Sequence, residues 1–284
     1  CANIDKTLNL DPNDLESYIT PKTKAIIAVH MLGVPSRLEE IKKICSKHNL
    51  FLIEDTAWGC GGSLHNKPLG TWGDIGTFSF DFAKTITTGE GGMLLIKDKT
   101  IYEKAAAWHD HGHENNPKVP RWEDTRSSSG FNFRMMELQG AVGIAQLKKL
   151  SKIVELQRKN LYTIWKMIED LPYIELREYP QGSYETADAL IFLLPNSHLA
   201  KVCREELLKV SISTKILPEA YTWHFAGEWS HMKGLNESKK VDYSSSEMIL
   251  KRAVSIPIGL SLDPQTPELI RNAIIKAFNS LQNT

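Results

Sequence analysis

Short apolar runs alternate with helical periodicity through the first half of the chain, which predicts a layered α/β organisation. Lys24-Ala-Ile-Ile-Ala-Val-His30 is apolar nearly throughout and ends at Gly33, so it reads as a buried strand. Ser36 and Glu39 then read as a capping box, and Leu38, Ile41, Cys45 and His48 share one helical face. A second buried strand, Leu50 to Ile53, runs into the acids Glu54 and Asp55. This strand–helix–strand order predicts a right-handed crossover between parallel strands, with ligands outside their carboxyl ends. Ile75 to Phe78 and Met93 to Ile96 read as further strands, with Ser79 at the end of the first. Residues 108–130 read as loop, and Met136 to Asp170 as a long helix expected to bend or break once. Beyond Pro172, strands Ala187 to Leu194 and Ala253 to Ile258 alternate with helices Ser197 to Val210 and Pro267 to Leu281. The pattern predicts a mostly parallel sheet flanked by helices over residues 1–155, and a smaller α+β domain over 156–284 joined by the long helix.

Composition narrows the partners. The 284 residues suit two domains, and 42% hydrophobic residues leave room for a large core. Lys plus Arg and Asp plus Glu are 34 each, so nothing suggests a nucleic-acid stripe or an anionic membrane partner. No apolar run approaches the roughly 20 residues of a membrane-spanning helix. Cys1, Cys45, Cys60 and Cys203 have no C-x-x-C spacing, which argues against a zinc knuckle or disulfide framework and for a reducing cytoplasm. The chain opens at Cys1 inside what reads as a domain interior, so a preceding segment is expected.

The stretch from Asp74 to Gly92 carries the chemistry. A strand ends in the hydroxyl of Ser79, a lone lysine follows at Lys84, and a glycine-rich turn closes it. A lysine on its own is most often exposed. Lys84, however, lies among Phe80, Phe82 and Ile86, and partial burial disfavours the ammonium form and makes an amine nucleophilic. Asp55 either caps a helix that follows or holds a pyridine nitrogen protonated; Glu54, one residue earlier, faces the other way. Lysine, acid and hydroxyl at neighbouring strand ends are what a pyridoxal 5'-phosphate site requires. Trp58 lies among residues small enough to admit a ring. Arg126 and Arg134 are either surface charge or a grip for a substrate carboxylate. His109, His111 and His113 offer a rival, metal-binding reading, against which Gly112 suggests a turn that spoils convergence. The preferred reading has no metal.

Seven stretches carry a resemblance: Thr20 to Ile27, Val29 to Gly33, Ile53 to Asp55, Gly73 to Ile75, Ser79 to Lys84, Gly89 to Gly92, and Gly130 to Met135. In order and spacing they resemble the DegT/DnrJ/EryC1/StrS sugar aminotransferases, within the fold-type I pyridoxal phosphate enzymes. The resemblance implies that Lys84 carries the cofactor as a Schiff base and moves the proton, Asp55 partners the ring nitrogen, and Ser79 binds phosphate. It implies that Asn132 reaches the phosphate of a neighbouring subunit in a homodimer with shared sites. It also implies an amino donor, usually glutamate, and a keto-sugar acceptor. Two departures stand out: Trp58 replaces the usual glutamine beside the ring hydroxyl, and nothing before Cys1 supplies the family's Gly-Thr phosphate turn and ring-stacking aromatic. The loop from Trp108 to Pro117 looks like the branch that makes 8-amino-3,8-dideoxy-octulosonate for bacterial lipopolysaccharide. Arg126, Arg134 and His113 would then hold the acceptor's carboxylate. A nucleotide-sugar aminotransferase and a non-catalytic cofactor-binding fragment or regulator remain the alternatives.

Overall fold

A computed structural model describes residues 1–232 and 242–282. After a short helix α1 (Pro12–Leu15), strand β1 (Ala25–Val29) leads through helix α2 (Leu38–His48) into β2 (Phe51–Asp55). The two strands are parallel, in a register running from Ala25 opposite Phe51 to Val29 opposite Asp55. Their pleat sorts the side chains. Ile26, Ala28 and Leu52 turn inward with Leu38, Ile41 and Cys45 of α2, whereas Ile27 and Phe51 are exposed on the opposite face. Each aliphatic side chain buried there contributes about 1.5–3 kcal/mol.

The expected capping box does not form. Helix α2 begins at Leu38, and its N-cap residue Arg37 makes no side-chain cap bond. Ser36 is fully buried: its Oγ donates to the Val29 carbonyl at 2.7 Å, and its N–H donates to His30 Nδ1 at 3.1 Å. The hydroxyl is used to close the end of β1, so it is not free for the helix. At the other end Asn49 adopts the left-handed conformation, with φ of +52°, that ends the helix.

Two short strands, β3 (Ser63–Leu64) and β4 (Lys67–Pro68), precede β5 (Ile75–Ser79) and β6 (Gly92–Ile96). The main sheet has the order β1-β2-β5-β6. β5 is parallel to β2, while β6 returns antiparallel across the glycine turn, so the sheet is mostly parallel, as predicted. Helix α3 (Lys99–His109) extends into the segment that the sequence pattern assigned to loop. The long helix is broken once, into α4 (Glu137–Leu147) and α5 (Leu150–Ile168).

The remainder builds a second sheet from β7 (Glu175–Leu176), β9 (Ala189–Leu193) and β10 (Ala253–Pro257), while β8 (Ser183–Tyr184) pairs with β3. Helix α6 (Ser197–Lys209) and the helix Thr266–Gln282 pack on the second sheet with α5, around Phe192, Leu161, Cys203 and Ile274. A further cluster joins Leu8, Met31 and Leu32 to Ile191, Leu193 and Leu250, and so ties the end of β1 to the second sheet. Among the described residues no helix is long and apolar enough to cross a membrane.

Candidate active site

The end of β2 delivers two acids to opposite faces. Glu54 turns inward and is fully buried. Its Oε1 accepts from the N–H groups of Trp72 and Gly73, both at 2.7 Å, and its Oε2 accepts from Gly70 N–H at 2.8 Å. His30 Nε2 lies 3.1 Å from the same oxygen. Because His30 Nδ1 accepts from Ser36, the imidazole is the tautomer that donates from Nε2. Burial pushes the Glu54 pKa up, but the bonds from His30, Gly73 and Gly70 outweigh it and hold the carboxyl below the ordinary glutamate value.

Asp55 faces the other way. Its Oδ1 accepts from Ala57 N–H at 3.1 Å, and it lines a cavity of about 570 Å³ together with Ile27, Val29, Trp58 and Lys84. The lysine arrives on the loop between β5 and β6, which is pinched shut where Phe80 N–H meets the Gly91 carbonyl at 2.8 Å and Thr88 N–H meets the Phe80 carbonyl at 3.0 Å. Gly91 has φ of +154°, and a Cβ there would stand 2.6 Å from Thr88 Oγ1, so the pinch needs glycine. The Lys84 side chain is only 12% exposed, and its Nζ lies 3.6 Å from Asp81 Oδ2. The same nitrogen sits 4.0 Å from the centre of the Trp58 ring. Phe225, Trp229, Tyr243 and Leu250 line the cavity too. Nothing in their local sequence signals it.

The other candidates lie elsewhere. Ser79 ends β5 outside the cavity lining, where its Oγ accepts from Asp81 N–H at 3.4 Å. Asn132 is exposed and bridges through its backbone to Asp110. Arg121 forks onto Asp110 with Nη1–Oδ2 of 2.9 Å and Nη2–Oδ1 of 2.7 Å, and Arg134 Nη1 adds a third bond at 2.5 Å. Arg121 above all, with Arg134 behind it, holds the Asp110 carboxyl well below the usual range against the opposing effect of burial. Arg126 Nη2 donates to His113 Nε2 at 3.3 Å, and His113 Nδ1 faces Asp124 Oδ2 at 3.3 Å. Within one chain, Arg126, Arg134 and His113 therefore tie the 108–134 loop to itself and do not line the cavity. His111 and Gly112 have φ of +55° and +83°, which breaks the alternation a three-histidine cluster would need. Among the described residues no three metal-competent side chains gather.

The family model of the DegT/DnrJ/EryC1/StrS aminotransferases matches residues 1–274. GDP-perosamine synthase of Escherichia coli O157:H7 is 39% identical over 255 residues, 86% of this chain and 68% of that protein. GDP-4-keto-6-deoxy-D-mannose 3-dehydratase of Yersinia pseudotuberculosis is 35% identical over 228 residues, 76% of this chain and 57% of the relative. A crystal structure of GDP-4-keto-6-deoxymannose-3-dehydratase with a trapped PLP-glutamate geminal diamine superposes with a TM-score of 0.83 at 27% identity, covering 96% of this chain and 73% of that one. The layered arrangement is that of the fold-type I pyridoxal phosphate enzymes. With the family model spanning nearly its whole length, the chain belongs to the DegT/DnrJ/EryC1/StrS aminotransferase family.

Proposed function

We propose that this chain carries the cofactor-bearing part of a pyridoxal phosphate-dependent sugar aminotransferase, which moves an amino group from an amino acid, glutamate being the favoured donor, to a nucleotide-linked keto sugar. One observation carries the reading: the Lys84 amine and the Asp55 carboxylate open into a single cavity of about 570 Å³, within the size range of small-molecule sites. The residues fit the cofactor. Lys84 would hold it covalently and Asp55 would engage its ring nitrogen, while Trp58 supplies a flat apolar wall. Ser79, beside the Lys84 loop, and Asn132, exposed for a second subunit, are the proposed phosphate ligands. When bound, pyridoxal phosphate supplies an electron-withdrawing ring that eases loss of a proton from the donor's α-carbon. The chain's own residues do the rest. Asp55 would keep the ring nitrogen charged, Lys84 Nζ would take and return the moving proton, and Phe225, Trp229 and Tyr243 line the cavity around it.

The acceptor follows from two considerations. The relatives' names point to GDP-linked sugars. An octulosonate acceptor would need a cation for its carboxylate, and within this chain Arg134 is bound to Asp110 and Arg126 to His113. Lys84 also favours transamination over dehydration, since an amine at this position would anchor the cofactor covalently. A homodimer suits the exposure of Leu138, Ile144 and Leu147 on α4.

Incubation with pyridoxal phosphate, borohydride reduction and peptide mass spectrometry test the site. Attachment is expected at Lys84 and is lost in Lys84→Ala; attachment at another lysine alone refutes the assignment. Conversion of glutamate to 2-oxoglutarate with GDP- and UDP-linked 4-keto sugars, set against keto-octulosonate, tests the acceptor. Turnover of keto-octulosonate alone overturns that part, and cofactor binding without turnover of any acceptor favours a regulator.

A further inference from the structure

Lys84 meets the ring of Trp58, at the position where the resemblance implies a glutamine as the usual residue. The ammonium nitrogen lies 4.0 Å from the centre of the ring, well inside the distance at which a cation is drawn to the negative face of an aromatic system. Indole is the strongest of the aromatic side chains in this respect. The shelf is held from behind. The Trp58 carbonyl accepts from Thr186 Oγ1 at 2.9 Å, and Gly33 packs so tightly on that hydroxyl that a Cβ at position 33 would stand 1.8 Å from it. The Trp58 backbone is therefore anchored by the segment that leads into β9, on a different element from the loop that carries the lysine.

We propose that Trp58 is a positioning residue for Lys84, its indole face seating the ammonium inside the cavity whenever the lysine carries no cofactor. The proposal rests on reading Lys84 as the cofactor-bearing lysine, but its test does not. A lysine among apolar walls either loses its proton or swings out to water. The titratable groups facing Lys84 are Asp81 on its own loop, Asp55 at the end of β2, and Tyr243 and Cys1 on the surrounding cavity wall. Asp81 at 3.6 Å is an ion-pair partner without a short hydrogen bond, so the ring face shares in holding the charge in place. A glutamine at position 58 offers a dipole but no such face.

The experiment follows the availability of the Lys84 amine in cofactor-free protein by trace acetylation at one fixed alkaline pH, with site-resolved mass spectrometry. Wild type is compared with Trp58→Phe and Trp58→Leu. Loss of the ring frees the amine, so Lys84 is acetylated roughly three- to tenfold faster in Trp58→Leu, with Trp58→Phe in between. Fluorinated tryptophans, which weaken the ring's negative face without changing its shape, give a second measurement that needs no substitution. The acetylation rate rises stepwise with fluorine content. Equal rates in the variants and across the fluorinated series overturn the proposal. A lysine that reacts as stated but never takes up pyridoxal phosphate overturns the aminotransferase reading instead, and leaves this one standing.

Discussion

Replacing Glu54 with glutamine isolates the brace behind Asp55. The carboxylate accepts four hydrogen bonds, two per oxygen: Trp72 and Gly73 N–H on Oε1, Gly70 N–H and the His30 Nε2–H on Oε2. An amide has one oxygen and one NH₂ group. Whichever way it is turned, two donors face two hydrogens in a site with no access to solvent. Each buried donor left unpaired costs about 1–3 kcal/mol, and removing the charged partner of a buried network typically costs about 3–5 kcal/mol. We expect Glu54→Gln to lose roughly 3–5 kcal/mol in urea unfolding followed by circular dichroism, and to melt about 5–8 °C lower. The pH dependence gives a second signature. The Glu54 pKa is held below its ordinary value of 4.5, so the stabilisation is fully present above that pH and is lost as pH falls through the lower, folded-state value. Glu54→Gln removes this acid-side dependence. A loss under about 1 kcal/mol, with the acid limb unchanged, would falsify the view that the four donors depend on a charged acceptor.

Other outcomes can be checked quickly. Burial pushes the Cys45 and Cys60 thiols up to about 11 and Cys203 up to about 12, while Cys1 is exposed. Native protein at mildly alkaline pH should therefore react with a disulfide reagent at one thiol only, Cys1, and a stoichiometry of two or more contradicts the burial. Phe192 is fully buried in β9, and Phe192→Ala should cost about 3–5 kcal/mol in the same unfolding assay while cofactor attachment at Lys84 persists in the folded fraction.

The elements legible in the sequence were those whose signal is local. The apolar run ending at His30, the face of α2 and the strand leading to Asp55 each declare themselves within a few residues, and the crossover rule then orders them. Alternation along β2 was enough to set Glu54 and Asp55 on opposite faces. What escaped notice depends on partners far along the chain. Ser36 has the right spacing for a capping box, but the end of β1 claims its hydroxyl. Arg134 and Arg126 look like free cations until Asp110 and His113 are folded against them. Phe225, Trp229 and Tyr243 reach the cavity from well over a hundred residues beyond Lys84, and Phe225 and Tyr243 pack in the cluster that joins Leu8 and Met31 to the second sheet. Helix α3 carries only a weak amphipathic stripe: Tyr102 and Trp108 are exposed, Ile101, Ala105 and Ala106 are half-buried, and Ala107 alone is buried.

Back-to-back acids on β2 make that strand intolerant of insertion or deletion. A frame of one residue separates an internal strut from a working tool, since Glu54 is wholly enclosed while Asp55 opens onto the cavity. Slipping the strand by a single position would aim the strut into the reaction space and bury the tool beneath α2. The connections on either side can therefore vary in length, whereas the pairing of Phe51–Asp55 with Ala25–Val29 has to keep its register.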